Sequence, residues 1–323
     1  MKEVNIATIN AVRGLLILKD FGELVQECGE ICRIVPLKGV SLLLTLYRDS
    51  FARHVGDIDI LIYPRECLPG LKALLVRKGY SPERESATSP EELKYKHKCT
   101  FKSPGKVDVD VHVDFITKKF FSKTCGTFSK DAFGRCYPYD FGGTEIYLMD
   151  QVDQWLLLAQ HACFHLFCGE KWIKDLYLLQ TAMTEKELQK LDLLARHYGL
   201  GKIVNVTLYH LEKHYGTDTL RISEIEGCRQ PLLMKFIKKY DRPFLRSVRD
   251  RFIAAYWEFI FIDKRNAQFK AFMALLFPGL GMLMSIYKWR IKALVLLFYP
   301  IHIVWVSCCT VGFLFYFNTF RWR

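Results

Sequence analysis

Between Val55 and Ile62 the chain reads Val-Gly-Asp-Ile-Asp-Ile-Leu-Ile. Apolar and β-branched residues dominate, and the two-residue side-chain period of a strand puts Asp57 and Asp59 on one face while Ile58 and Ile60 turn into a core. Two carboxylates therefore stand side by side on a rigid strand. Positions two apart on a strand are separated by about 7 Å, a span over which both acids can reach a pair of divalent cations about 4 Å apart. A strand that simply shows two aspartates to water fits the same pattern.

A second segment repeats the arrangement. Val-Asp-Val-Asp-Val-His-Val-Asp-Phe, residues 107–115, alternates without a fault. Val107, Val109, Val111 and Val113 form one face, and Asp108, Asp110, His112 and Asp114 form the other. Three acids on one strand face repel one another unless cations sit among them. Ser103-Pro104-Gly105-Lys106 has Pro and Gly where a type II turn wants them, so Leu93 to Phe101 and Val107 to Phe115 are expected to form a hairpin. Upstream, Ile34 to Leu37 is a short buried strand by the same reasoning, and Lys38-Gly39 opens a helix that runs through Ser41 to Tyr47. Glycine there lets backbone N–H groups approach an anion closely, and a helix N-terminus favours negative charge.

This order resembles the nucleotidyltransferase superfamily (DNA polymerase beta-like). The likeness is closest to its uncharacterised bacterial nucleotidyltransferase branch, where an LKG helix, a Tyr, an Arg and an Asp-x-Asp-hydrophobic strand follow one another. Leu37-Lys38-Gly39, Tyr47, Arg53 and Asp57-Ile58-Asp59-Ile60-Leu61 carry the likeness. The resemblance implies a third carboxylate on a neighbouring strand, two residues before a His, which Asp110 and His112 match; Asp108 is the second choice. It implies Asp57, Asp59 and Asp110 as catalytic residues and ligands of Mg²⁺, with a two-metal site. It further implies NTP as substrate, ATP first among the candidates, with Lys38, Gly39, Ser41 and Arg53 around its phosphates. An NMP would pass to an acceptor hydroxyl of a small molecule, a protein or RNA. The alternative kept open is a non-catalytic, nucleotide-binding module docked at a membrane.

The rest of the chain carries less chemistry. With 323 residues, half of them hydrophobic, the chain has room for at least one sizeable core. An α+β fold is expected: a helical segment over 1–33, a small mixed β-sheet with flanking helices over 34–147, an all-α domain over 148–270 and a hydrophobic C-terminus over 271–323. Eleven cysteines form no C-x-x-C pair and read as free thiols of a reducing compartment, and no secretory signal opens the chain, so the catalytic part is expected in the cytoplasm.

Net charge is +12, and between Arg229 and Lys270 eleven Lys or Arg face four Asp or Glu. Such a stretch suits anionic lipid, RNA phosphates or plain solvent. His161 and His165 share a helix face, but His-Ala-Cys-Phe-His lacks the Glu of a metalloprotease helix. Core histidines paired with Asp175 are the expectation there. Ala293 to Phe317 runs twenty-five residues without Asp, Glu, Lys or Arg, long enough to cross a bilayer as a membrane anchor. Lys288, Arg290 and Lys292 just before it would keep the preceding domains on the cytoplasmic side.

Overall fold

The computed structural model describes residues 6–29, 31–48, 53–83, 98–114, 128–165, 167, 169–216, 261–263, 265–277, 283 and 299–319. Its elements, in order, are α1 (Ile6–Cys28), β1 (Arg33–Pro36), α2 (Lys38–Thr45), β2 (Asp57–Tyr63), α3 (Leu68–Arg77), β3 (Ser81–Pro82), β4 (Lys98–Lys102) and β5 (Asp108–His112). There follow α4 (Phe128–Gly134), β6 (Tyr137–Phe141), β7 (Thr144–Leu148), α5 (Gln151–Phe164), α6 (Glu170–Ala182), α7 (Glu185–Tyr198), α8 (Gly201–Tyr215), α9 (Arg265–Leu276) and α10 (Tyr299–Thr319). The α+β expectation holds for these elements.

The chain divides into two compact units. One comprises Met1–Ile116, Thr127–Leu158 and Lys174–Leu188. Its five-stranded sheet runs β1-β2-β5-β4-β3, with β2 and β5 parallel and every other pairing antiparallel. Alternation decides what each face does. Ile58, Ile60, Ile62, Val109 and Val111 are at most 2 % exposed and join Phe21, Leu24, Val25, Leu71 and Leu75 in one core. Burying each such side chain contributes about 1.5–3 kcal/mol, and because a one-residue slip would exchange the two faces, this core also fixes which way the aspartates point. A separate hairpin, β6-β7, lies beside β1.

The other unit comprises Thr117–Gly126, Ala159–Ile173 and Gln189–Arg323. Its described part is helical. Gly199, with φ 66°, closes α7, and Gly216, with φ 87°, closes α8, both in the left-handed region that glycine enters at least cost. The Asp263 carboxylate accepts hydrogen bonds from the Gly201 and Lys202 amides, capping the start of α8 at 2.8 and 3.0 Å.

Two expectations need correction. Ile116 to Tyr139 reads as loop from its sequence; its residues 116–127 lie outside the described residues, and 128–139 hold α4 and the start of β6. Of the proposed bilayer span, residues 293–298 lie outside the described residues, and the remainder belongs to α10. Among the described residues no helix is long and apolar enough to cross a membrane, so the span finds no support there. Most of the basic stretch from Arg229 to Lys270 also lies outside the described residues. Cys28, Cys32, Cys67, Cys99, Cys136, Cys163 and Cys308 form no disulfide among the described residues.

Candidate active site

Parallel pairing of β2 with β5 sets Asp57 beside Asp108, Asp59 beside Asp110 and Leu61 beside His112. Neighbouring strands lie about 4.8 Å apart, so the backbone positions of the β2 and β5 acids stand side by side on the face away from the core. Asp59, Asp110 and His112 present donor atoms within 4.8 Å of one another, and all three residues are buried. Two carboxylates and an imidazole at that spacing form a donor set a divalent cation can use. Asp57, at the first position of β2, is exposed and stands at the edge of this group.

Each buried acid has its own cation. Asp59 Oδ1 accepts hydrogen bonds from Lys38 Nζ at 2.7 Å and from His112 Nε2 at 2.8 Å. Burial alone would raise the pKa of Asp59, but Lys38 beside it and the His112 hydrogen bond hold it well below the usual carboxylate range. His112 is pushed below its ordinary value by burial and by Lys38, against the pull of Asp59, which its Nε2 faces at 2.8 Å. Asp110 Oδ1 accepts from Thr100 Oγ1 at 2.6 Å, and its Oδ2 accepts from Lys98 Nζ. The antiparallel β4-β5 register explains both contacts, since it places Thr100 opposite Asp110 and Lys98 opposite His112. Desolvation and the neighbouring Asp59 raise Asp57, with Lys38 opposing.

Lys38 reaches Asp59 from a constrained backbone. Its φ is 45°, a left-handed conformation that costs a non-glycine residue about 1–3 kcal/mol and persists only where surrounding structure holds it. Leu37 before it is extended and donates its N–H to the Asp59 carbonyl at 2.9 Å. The strain thus sits at the turn between β1 and α2, where the ammonium is delivered to the acid.

Gly39 follows from packing. A Cβ there would lie 2.7 Å from Val55 Cγ1 and 3.0 Å from Arg53 Nη1, so no side chain fits while those two residues stay in place. Arg53 is itself buried, donating from Nε and Nη2 to Asp175 Oδ2 at 2.9 and 2.8 Å. Tyr47 donates its hydroxyl proton to Asp175 Oδ1 at 2.9 Å. Asp175 is therefore the anchor of Arg53 and Tyr47, and not the partner of histidines that its sequence position suggested. Ser41 is 1 % exposed, and its Oγ accepts from Gln154 Nε2 at 2.7 Å. Of the residues expected around the phosphates, the structure brings Lys38 to the carboxylates and seats Ser41 and Arg53 in buried contacts of their own.

His161, His165 and Trp172 form an aromatic cluster with centroids 4.5 to 5.1 Å apart. Among the described residues these histidines belong to no group of three or more metal-capable side chains. Sequence reasoning did not single out Lys98 or Thr100, and it gave His112 no part in the donor group. Only His112 carried a signal, its place on the acidic face of β5.

A family model described as uncharacterised nucleotidyltransferase matches residues 5–216. No curated protein matches the chain. Among solved structures the chain is similar to the antibiotic-resistance factor ANT(2'')-Ia, at 15 % identity and a TM-score of 0.41, over 64 % of this chain and 100 % of that one.

Proposed function

Because the chain belongs to the uncharacterised nucleotidyltransferase family, we propose that it transfers an NMP from an NTP, ATP first among the candidates, to an acceptor hydroxyl, with Mg²⁺ as the metal. The observation that carries this reading is the meeting of Asp59 and Asp110 from adjacent parallel strands in one buried donor group with His112. The clustering of Asp110 with Asp59 favours transfer over a non-catalytic nucleotide-binding module.

In this reading Asp59 and Asp110 hold the cation, with Asp57 at the outer edge of the same group. Bound there, a divalent cation supplies charge stabilisation to the transferring phosphate and acidifies the attacking hydroxyl. His112 keeps Asp59 ionised and oriented through its Nε2 hydrogen bond. Lys38 adds a positive charge beside the phosphates. The acceptor oxygen attacks the α-phosphorus as its proton passes toward Asp110, the bond to the bridging oxygen breaks, and pyrophosphate leaves. Positioning and electrostatics carry such a reaction. Arg53, held by Asp175 and packed on Gly39, fixes the turn that carries Lys38.

The test uses each of four α-³²P-labelled NTPs with Mg²⁺ and a cell extract. Wild type is expected to label an acceptor, and Asp59→Ala and Asp110→Ala are expected to leave it unlabelled. Equal labelling by all three proteins overturns the proposal.

A further inference from the structure

The two lysines that meet the carboxylates are held very differently. Lys38 has 15 % of its side chain exposed and issues from a backbone fixed in the left-handed region, so its ammonium stays with Asp59. Lys98 has 37 % of its side chain exposed and approaches Asp110 from β4, across the strand pair, with an unbranched stem free to swing outward. The Asp110 oxygens already have two protein donors, Thr100 on Oδ1 and Lys98 on Oδ2. Thr100 brings no charge, whereas Lys98 brings a full positive charge that repels an arriving divalent cation.

Charge bookkeeping across the cluster points the same way. Three carboxylates, Asp57, Asp59 and Asp110, face two ammonium groups, Lys38 and Lys98, so the acids outnumber the lysines by one. Two free divalent cations would overfill that deficit. The same two cations carrying a triphosphate with about four negative charges leave the balance as it was, and they also offer the displaced ammonium a new partner.

We propose that Lys98 is an exchangeable counter-ion of Asp110: it guards the site against free divalent cations and moves to the triphosphate when metal and nucleotide enter together. The inference rests on the nucleotidyl-transfer reading and deepens it, since it assigns Lys98 to nucleotide binding and orders the binding events. Lys98→Gln then opens the site to metal alone, and Lys98→Arg, which keeps the charge, behaves as the native chain does.

The experiment reads Mn²⁺ binding to the full chain by electron paramagnetic resonance at fixed pH, first without nucleotide. It is then repeated with Mn²⁺ given together with a mixture of the four α,β-methylene nucleoside triphosphates. Wild type and Lys98→Arg are expected to bind free Mn²⁺ at least tenfold more weakly than Lys98→Gln, and to gain at least tenfold when the analogues are present. Lys98→Gln is expected to gain less than threefold. Circular dichroism melts establish that each variant is folded. Equal free-Mn²⁺ affinity of wild type and Lys98→Gln overturns the role of Lys98 and leaves the metal site standing. Unchanged Mn²⁺ binding by Asp110→Asn, or no Mn²⁺ binding by any of these proteins, overturns the site itself.

Discussion

Asp59 and Asp110 are register partners on parallel strands, and each is held by a lysine from a different element: Lys38 at the start of α2 and Lys98 on β4. Under the proposed function, removing one acid removes a metal ligand, and it also takes from an ammonium the carboxylate that holds it. Asp59→Asn is expected to lower nucleotidyl transfer by about two orders of magnitude or more, in kcat rather than KM, as befits charge stabilisation used in the transition state. Steady-state kinetics on the labelled acceptor checks this. A change confined to KM would assign Asp59 to ground-state binding instead.

Gly39→Ala places a methyl carbon 2.7 Å from Val55 Cγ1. Overpacking of this kind costs about 1–3 kcal/mol. Urea unfolding should show that loss when Gly39→Ala is made in the native chain and little of it when it is made in a Val55→Ala background, which lacks the colliding atom. Additive destabilisation in the double variant would mean that Gly39 is required for another reason.

Asp175 is fully buried and receives Arg53 and Tyr47 from segments more than a hundred residues away. Breaking such a pair from one side strands a buried guanidinium, so Asp175→Ala is expected to lower stability by about 3–5 kcal/mol. Tyr47→Phe, which removes one hydrogen bond, should cost about 1 kcal/mol. Thermal and urea denaturation measure both, and a loss under about 1 kcal/mol for Asp175→Ala would contradict the anchoring role.

In the second unit, His210 stacks on Phe167 with ring centroids 4.3 Å apart. Burial, with His214 and Lys213 nearby, pushes its pKa down from 6.5 to about 3. Its folded form resists the proton that the unfolded chain accepts, so stability is fully present above pH 6.5 and falls as pH drops from 6.5 toward 3. Between pH 7 and pH 5 the group should account for about 2 kcal/mol of lost stability. Urea midpoints of wild type and His210→Gln at the two pH values test this: the variant should lose less by about that amount, and parallel losses would exclude His210 as the source.

The sequence made β2 and β5 legible because both are buried on one face and polar on the other, and no helix period fits Asp-Ile-Asp-Ile or the valine alternation of β5. It did not make the β4-β5 register legible. A tight turn over Ser103 to Lys106 sets Cys99 opposite Asp110; the Lys106 N–H does bond the Ser103 carbonyl at 3.2 Å, yet one further residue on the β5 side puts Thr100 opposite Asp110. That single residue decides that Lys98 and Thr100, in place of Cys99, share the acidic face. The Arg53–Asp175 pair was hidden for another reason: its members are 122 positions apart, and they meet because Lys174–Leu188 folds as part of the first unit.

The central claim is that carboxylates from β2 and β5 share one divalent cation. Anomalous diffraction from crystals grown with Mn²⁺ and the α,β-methylene nucleoside triphosphates tests it most directly. The account expects a manganese peak between Asp59 and Asp110, about 2.0–2.6 Å from an oxygen of each, with Lys98 turned from Asp110 to the phosphates. A peak elsewhere, or no peak while Lys38 and Lys98 still hold both acids, would contradict it.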